Sequence, residues 1–179
     1  MRFLTAAECH EWVEIHSPPP SKKSPEVHIE IPPNLSITER LCEALVDWIG
    51  FKADKLFRLV RWDNYPPTDL NLMMTFRRGI GQSSPIDAFP GFEVNGTRNF
   101  GEHYDDRTVA DIETESTLFW MLTITASLSW SGSLFGSNQQ DSFHVWDNVI
   151  VVKSDIKSRR AEVMRIAEGR NLGARELYP

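Results

Sequence analysis

The sequence predicts a single α+β domain, in which two or three helices pack on a mostly antiparallel sheet. Two capping boxes that precede helical patterns, one long apolar stripe and several segments of alternating polarity carry this prediction. The 179 residues, of which 41% are hydrophobic and 25% charged, match the size and composition of one globular domain. We therefore treat residues 1–179 as one domain.

Helices are predicted in three places. The capping box of Ser36 and Glu39 begins the best-supported helix, and Gly50 stands where a glycine ends one. Its apolar stripe consists of Ile37, Leu41, Ala44, Leu45, Trp48 and Ile49. A similar capping box at residues 5–8 begins a helix that runs to about residue 15. A third helix is expected over 155–168, capped by Ser154 or Asp155 and ended by Gly169, with a loop beyond it.

Strands are predicted where apolar and polar side chains alternate, over residues 26–31, 56–62 and 70–77. A hairpin is expected near the C-terminus, with one arm at 134–135, the other at 143–153, and a loop between them. The segment 118–130 has apolar residues at every second position, which favours a long strand. A helix is the competing interpretation, because Phe119 and Met121 interrupt the polar face.

Two segments are predicted to be irregular. Residues 17–25 contain four prolines and indicate an exposed tether. Residues 79–107 are rich in glycine and proline, and loops of this length in a compact domain are usually functional or mobile. A functional site is therefore expected first in this loop.

Charge and composition exclude several classes of partner. The net charge of −6 disfavours binding to nucleic acid and to anionic membranes, and favours a basic protein partner. No signal peptide or membrane-spanning pattern is apparent, so a soluble, cytoplasmic protein is expected. Cys9 and Cys42 fit buried positions on helices better than they fit a disulfide framework.

The 79–107 loop holds the candidate catalytic residues His103, Asp105 and Asp106. An imidazole beside carboxylates suits acid–base catalysis or metal binding. The spacing of a metal-binding motif is missing, however. The alternative is that these residues form a turn and the cap of a following helix. Arg77 and Arg78, followed by glycines and serines, resemble an anion-binding loop only weakly. No metal and no cofactor are predicted.

Two tryptophan–aspartate pairs mark candidate binding residues where strands end or are interrupted near loops. They are Trp62 with Asp63 and Trp146 with Asp147. Tryptophan is enriched in interaction hot spots, although a position at the core edge is the simpler interpretation.

His28 shares a strand face with Glu30. This pair suits a ligand set with His10 or His16, but a solvated sheet face is the simpler interpretation.

Two functions follow from these patterns. The first is a non-catalytic protein-binding domain of the immunity or inhibitor type, which docks to a basic protein. The alternative is a small enzyme or metal-dependent protein that uses His103, Asp105 and Asp106, with Arg77 or Arg78 holding an anionic substrate. The oligomeric state is not predicted.

Overall fold

The computed structural model describes residues 2–3, 25–50, 57–60, 109–112, 114–127, 132–135, 141–146 and 148–178. These residues form eight strands and three helices. In chain order they are β1 (Arg2–Phe3), β2 (Glu26–Glu30), α1 (Leu35–Ile49), β3 (Phe57–Val60), β4 (Val109–Ile112), α2 (Glu115–Ser127), β5 (Gly132–Phe135), β6 (Asp141–Trp146), β7 (Val149–Ser154), α3 (Lys157–Glu168) and β8 (Ala174–Leu177).

The strands form one sheet in the order β1-β4-β3-β5-β6-β7-β2-β8, and each pairing is antiparallel. Helices α1 and α2 pack against each other, and α3 packs on α1 and on strands β2, β7 and β8. This arrangement confirms the predicted α+β class. None of the helices in these ranges is long and apolar enough to cross a membrane.

The core lies between the helices and one face of the sheet. On β2, Val27 and Ile29 are fully buried, while the residues between them are only partly buried, as the alternation predicts. Their neighbours in the register, Val152 and Ile150 of β7, are buried beside them. Phe143 and Val145 of β6 extend the same face.

Cys42 confirms one prediction from the sequence, since it is a buried side chain on α1. Burial among apolar neighbours raises the pKa of its thiol to about 12. Cys9 lies outside the described residues.

Helix α1 begins earlier than the sequence predicts. Asn34, not Ser36, is the N-cap, and its Oδ1 accepts a hydrogen bond of 3.3 Å from the Ile37 amide. Ser36 lies within the first turn, so the capping-box assignment is wrong. Gly50 ends the helix as predicted, with a left-handed φ of 68° that favours glycine.

The strand predicted over 118–130 is wrong, because residues 115–127 form helix α2. Thr114 caps it, since its hydroxyl accepts a 3.1 Å bond from the Thr117 amide. The side chains from Met121 to Ala126 are all buried. A helix that is covered on most sides has few polar positions, so the period of 3.6 residues is lost from its sequence.

Two further corrections concern the C-terminal third. The segment 143–153 is not one hairpin arm, because β6 ends at Trp146 and β7 begins at Val149. The tail beyond Gly169 is not a loop, since residues 174–177 form β8 and pair with β2. Helix α3 begins at Lys157 with Ile156 as its N-cap, so the predicted cap at Ser154 or Asp155 is wrong. Ser154 Oγ accepts a 3.3 Å bond from the Ile156 amide just before the helix.

Several predicted elements lie outside the described residues and stay predictions. These are the first helix over 5–15, the tether apart from Pro25, the strand over 70–77 and the loop over 79–107.

Candidate functional site

Trp146 ends strand β6 and is 67% exposed, more than the other large hydrophobic residues that the structure describes. It pairs with Val149 across a two-residue connection. Asn148 in this connection adopts a left-handed φ of 61°, which asparagine tolerates better than most residues. Its carbonyl accepts a 2.7 Å bond from the Ile31 amide, so the turn is tied to the end of β2. The hairpin therefore presents Trp146 from an anchored position.

Glu30 lies on the same sheet face as Trp146, opposite the helices. The register runs from Trp146 to Val149 and on to Glu30, so their backbones are two strand spacings apart, or about 10 Å. The Glu30 amide donates a 3.0 Å bond to the Gly173 carbonyl. A Cβ atom at Gly173 would lie only 2.9 Å from Glu30 Oε2, so the exposed carboxylate occupies the space that this glycine leaves.

We call the surface formed by Trp146, Val149 and Glu30 the Trp146 surface. It presents a large exposed aromatic side chain and, two strands away, an exposed acidic residue whose carboxylate lies over Gly173, on the side of β2 that faces β8. An exposed indole suits contact with an apolar or cationic group.

A second group of polar side chains lies further along this sheet face. We call it the polar cluster; its members are Glu26, His28, Ser142, His144 and Lys153. Glu26 Oε1 lies 2.7 Å from Nε2 of His28, and Glu26 Oε2 lies 3.8 Å from Nζ of Lys153. Only 15% of the Glu26 side chain is exposed, so this carboxylate is largely removed from water and shared by two basic groups.

His144 lies beside Ser142 in the polar cluster, with 3.4 Å between the His144 Nε2 and the Ser142 hydroxyl. Burial lowers the pKa of His144 to about 4; the positive charge of Lys153 acts in the same direction, and the Glu26 carboxylate opposes it. The imidazole is therefore neutral at neutral pH. A neutral imidazole accepts protons, but 3.4 Å is long for a bond to a hydroxyl.

The part of the chain that the structure describes contains no group of three or more side chains suited to hold a metal ion. His28 and Glu30 share one face of β2, as the sequence predicts, and His28 pairs with Glu26. The other proposed ligands, His10 and His16, lie outside the described residues.

Among the candidate site residues, Trp146 is the one whose side chain is described. It lies at the end of β6, whereas the sequence places it within one hairpin arm over 143–153. The remaining candidates lie outside the described ranges and stay predictions: Trp62, Asp63, Arg77, Arg78, His103, Asp105, Asp106 and Asp147.

The sequence interpretation missed the polar cluster as a unit. Its members occupy alternate positions on β2, β6 and β7, and that pattern alone indicates only a solvated sheet face. The cluster becomes recognisable only when the pairing of β2 and β6 with β7 is known, because this pairing places Lys153 beside both Glu26 and Ser142.

An arginine stacked on a tryptophan occurs on the helical side of the sheet. The Arg159 guanidinium carbon lies 4.3 Å from the centroid of the Trp48 ring, and its Nε lies 2.8 Å from Asp141 Oδ2. Arg159 is thus held between an indole and a carboxylate.

Comparisons of this chain with protein-family models, curated proteins and solved structures give no significant match.

Proposed function

We propose that this protein is a non-catalytic binding domain, of the immunity or inhibitor type, that docks to a basic protein through the Trp146 surface. The exposure of Trp146 on an anchored hairpin carries this proposal. The anchored backbone of this hairpin loses little conformational entropy when a partner covers Trp146, and tryptophan is enriched among residues that dominate binding energy.

Electrostatics supports a basic partner. The chain carries a net charge of −6, and Glu30 is an exposed acidic residue on the same sheet face as Trp146, two strands away. Complementary charge accelerates encounter and excludes acidic competitors, and its effect weakens as salt screens it. Binding at this surface is therefore expected to weaken with rising ionic strength.

Affinity capture with the immobilised full chain tests the proposal. The wild-type protein, Trp146→Ala and Ile156→Ala are compared at low and high salt. Ile156 is a matched control, because it is 46% exposed and follows the far end of β7. We expect a basic protein that binds the wild type and Ile156→Ala at low salt, and that Trp146→Ala fails to retain. Equal retention by Trp146→Ala, or retention indifferent to salt, would contradict the proposal.

A further inference from the structure

We infer that Arg40 and Arg170 together bind a phosphate group on the helical side of the sheet. This inference goes beyond the proposed function, because the Trp146 surface lies on the opposite side of the sheet. The two sites are therefore tested separately.

The side chains of Arg40 and Arg170 are both hydrogen-bonded to the backbone of α1. Arg40 is exposed, and its Nε donates a 3.1 Å bond to the Ser36 carbonyl one turn earlier. Arg170 follows the end of α3, and its Nε donates a 3.1 Å bond to the Arg40 carbonyl. Its Nη1 donates a further 3.0 Å bond to the Ile166 carbonyl. The guanidinium of Arg170 is thus held between the two helices.

The spacing of the two guanidiniums suits one anion between them. Ser36 and Arg40 are four residues apart, which is a rise of about 6 Å along α1, and their carbonyls lie on the same side of the helix. Each Nε lies 3.1 Å from one of these carbonyl oxygens, so the guanidiniums follow one another along this side. Bonds from arginine to phosphate are about 2.8 Å long, so a phosphate between the two can accept from both.

The positive charges of Arg40 and Arg170 are not neutralised by a carboxylate of the described residues. Arg159 and Arg160, by contrast, lie 2.8 Å and 2.7 Å from their carboxylate partners. Arg40 and Arg170 form no ion pair within the described ranges. Both terminal nitrogens of Arg40 and the Nη2 of Arg170 also have no hydrogen-bond partner there. Charged donors therefore remain available to an anion.

A phosphate group matches these donors better than a carboxylate does. It carries up to two negative charges and three or more acceptor oxygens, so it can contact two separate cations at once. The net charge of −6 opposes any anion, so we expect binding in the millimolar range. Free phosphate and a phosphorylated side chain present the same group, and the test distinguishes them.

The test titrates the full chain with sodium phosphate at about pH 7, and with sodium chloride at equal ionic strength. Nuclear magnetic resonance follows the Nε–H signals of Arg40 and Arg170, which are assigned by their loss in Arg40→Gln and Arg170→Lys. We expect a saturable shift of both signals with phosphate and none with chloride.

Arg40→Gln is the decisive variant, because Arg40 is exposed and its side chain bonds only to its own helix. Read from the Arg170 signal, it should weaken phosphate binding about fivefold or more. The matched control is Arg175→Gln, which removes an exposed arginine from the opposite face of the sheet. It should change phosphate binding by less than about twofold, since salt screens a charge at that distance.

No saturable shift, the same shift with chloride, or equal weakening by Arg40→Gln and Arg175→Gln would each overturn the phosphate site. A further titration with the amide of N-acetylphosphoserine identifies the source of the group. Tighter binding than that of inorganic phosphate assigns the site to a phosphorylated side chain, and weaker binding assigns it to free phosphate. Capture of a basic partner through Trp146 bears on the proposed function alone.

Discussion

Trp48 and Arg159 are joined by two hydrogen bonds, one donated by each side chain to the other residue's carbonyl. The Trp48 indole N–H donates a 3.2 Å bond to the Arg159 carbonyl, and the Arg159 Nη2 donates a 3.0 Å bond to the Trp48 carbonyl. The guanidinium also covers the indole ring. These contacts fix the end of α1 against the first turn of α3.

Replacing Arg159 should therefore destabilise the fold. We expect Arg159→Met to lower the free energy of unfolding by about 2 kcal/mol, because it removes the stacking and the bond to Trp48 and leaves Asp141 without its cation. Arg159→Lys should recover about half of this loss, since it keeps the charge but not the planar group. Urea unfolding measures both values. The control is Arg165→Met on exposed α3 surface, and equal stabilities of the variants at 159 and 165 would refute the role of this contact.

The start of α1 gives a second prediction. Asn34→Ala should cost about 1 kcal/mol of stability, because it removes the side chain that accepts the Ile37 amide. Ser36→Ala should change stability by less than about 0.5 kcal/mol, because Ser36 is an exposed residue within the first turn. Chemical denaturation of the two variants decides between the caps. A larger loss of stability for Ser36→Ala than for Asn34→Ala would contradict the Asn34 cap and support the capping box that the sequence suggests.

His144 makes stability depend on pH. Its pKa is lowered from 6.5 to about 4 in the folded protein, so the unfolded chain binds the proton more readily between these values. The contribution of His144 to stability is complete above pH 6.5 and declines as pH falls towards 4. Its size is at most roughly 3 kcal/mol.

His144→Gln isolates this effect from the carboxylates that titrate in the same range. The difference in unfolding free energy between wild type and His144→Gln should shift in favour of the variant as pH falls from 6.5 to 4. His28→Gln is the control, since His28 lies in the same register row on β2, with β7 between it and His144. A proton resonance of the His144 ring that titrates near pH 6.5 would show that the imidazole is not held neutral.

Cys42 should be unreactive in the folded protein. Burial and a pKa of about 12 leave almost no thiolate at pH 8, and the thiolate is the reactive form. In a Cys9→Ser background, a disulfide reagent should modify no thiol in native buffer and one thiol in denaturant. Rapid modification of the native protein would place Cys42 outside the core.

The sequence predicts elements well where one face is buried and the other is exposed. Strand β2 has buried Val27 and Ile29 alternating with more polar neighbours, so its period of two residues is visible. Helix α1 has exposed Glu43 and Asp47 opposite its buried stripe, so its period is visible as well.

The errors occur where local pattern and tertiary environment disagree. Helix α2 is buried nearly all round, so its few polar residues, such as Thr123 and Thr125, produce an accidental alternation. Strand β8 is four residues long and is defined by its pairing with β2, which lies about 150 residues earlier in the chain. The exposure of Trp146 likewise depends on how the hairpin packs, so the sequence indicates only a tryptophan beside an aspartate within a predicted strand.

The affinity of the captured basic partner for wild type and Trp146→Ala, measured by titration calorimetry at two salt concentrations, tests the proposed docking surface most directly. We predict that the substitution costs about 2 kcal/mol or more, which is roughly a thirtyfold loss of affinity, while Ile156→Ala binds as wild type does. Wild-type affinity should also fall as salt rises. Binding of Trp146→Ala within twofold of wild type would contradict the account.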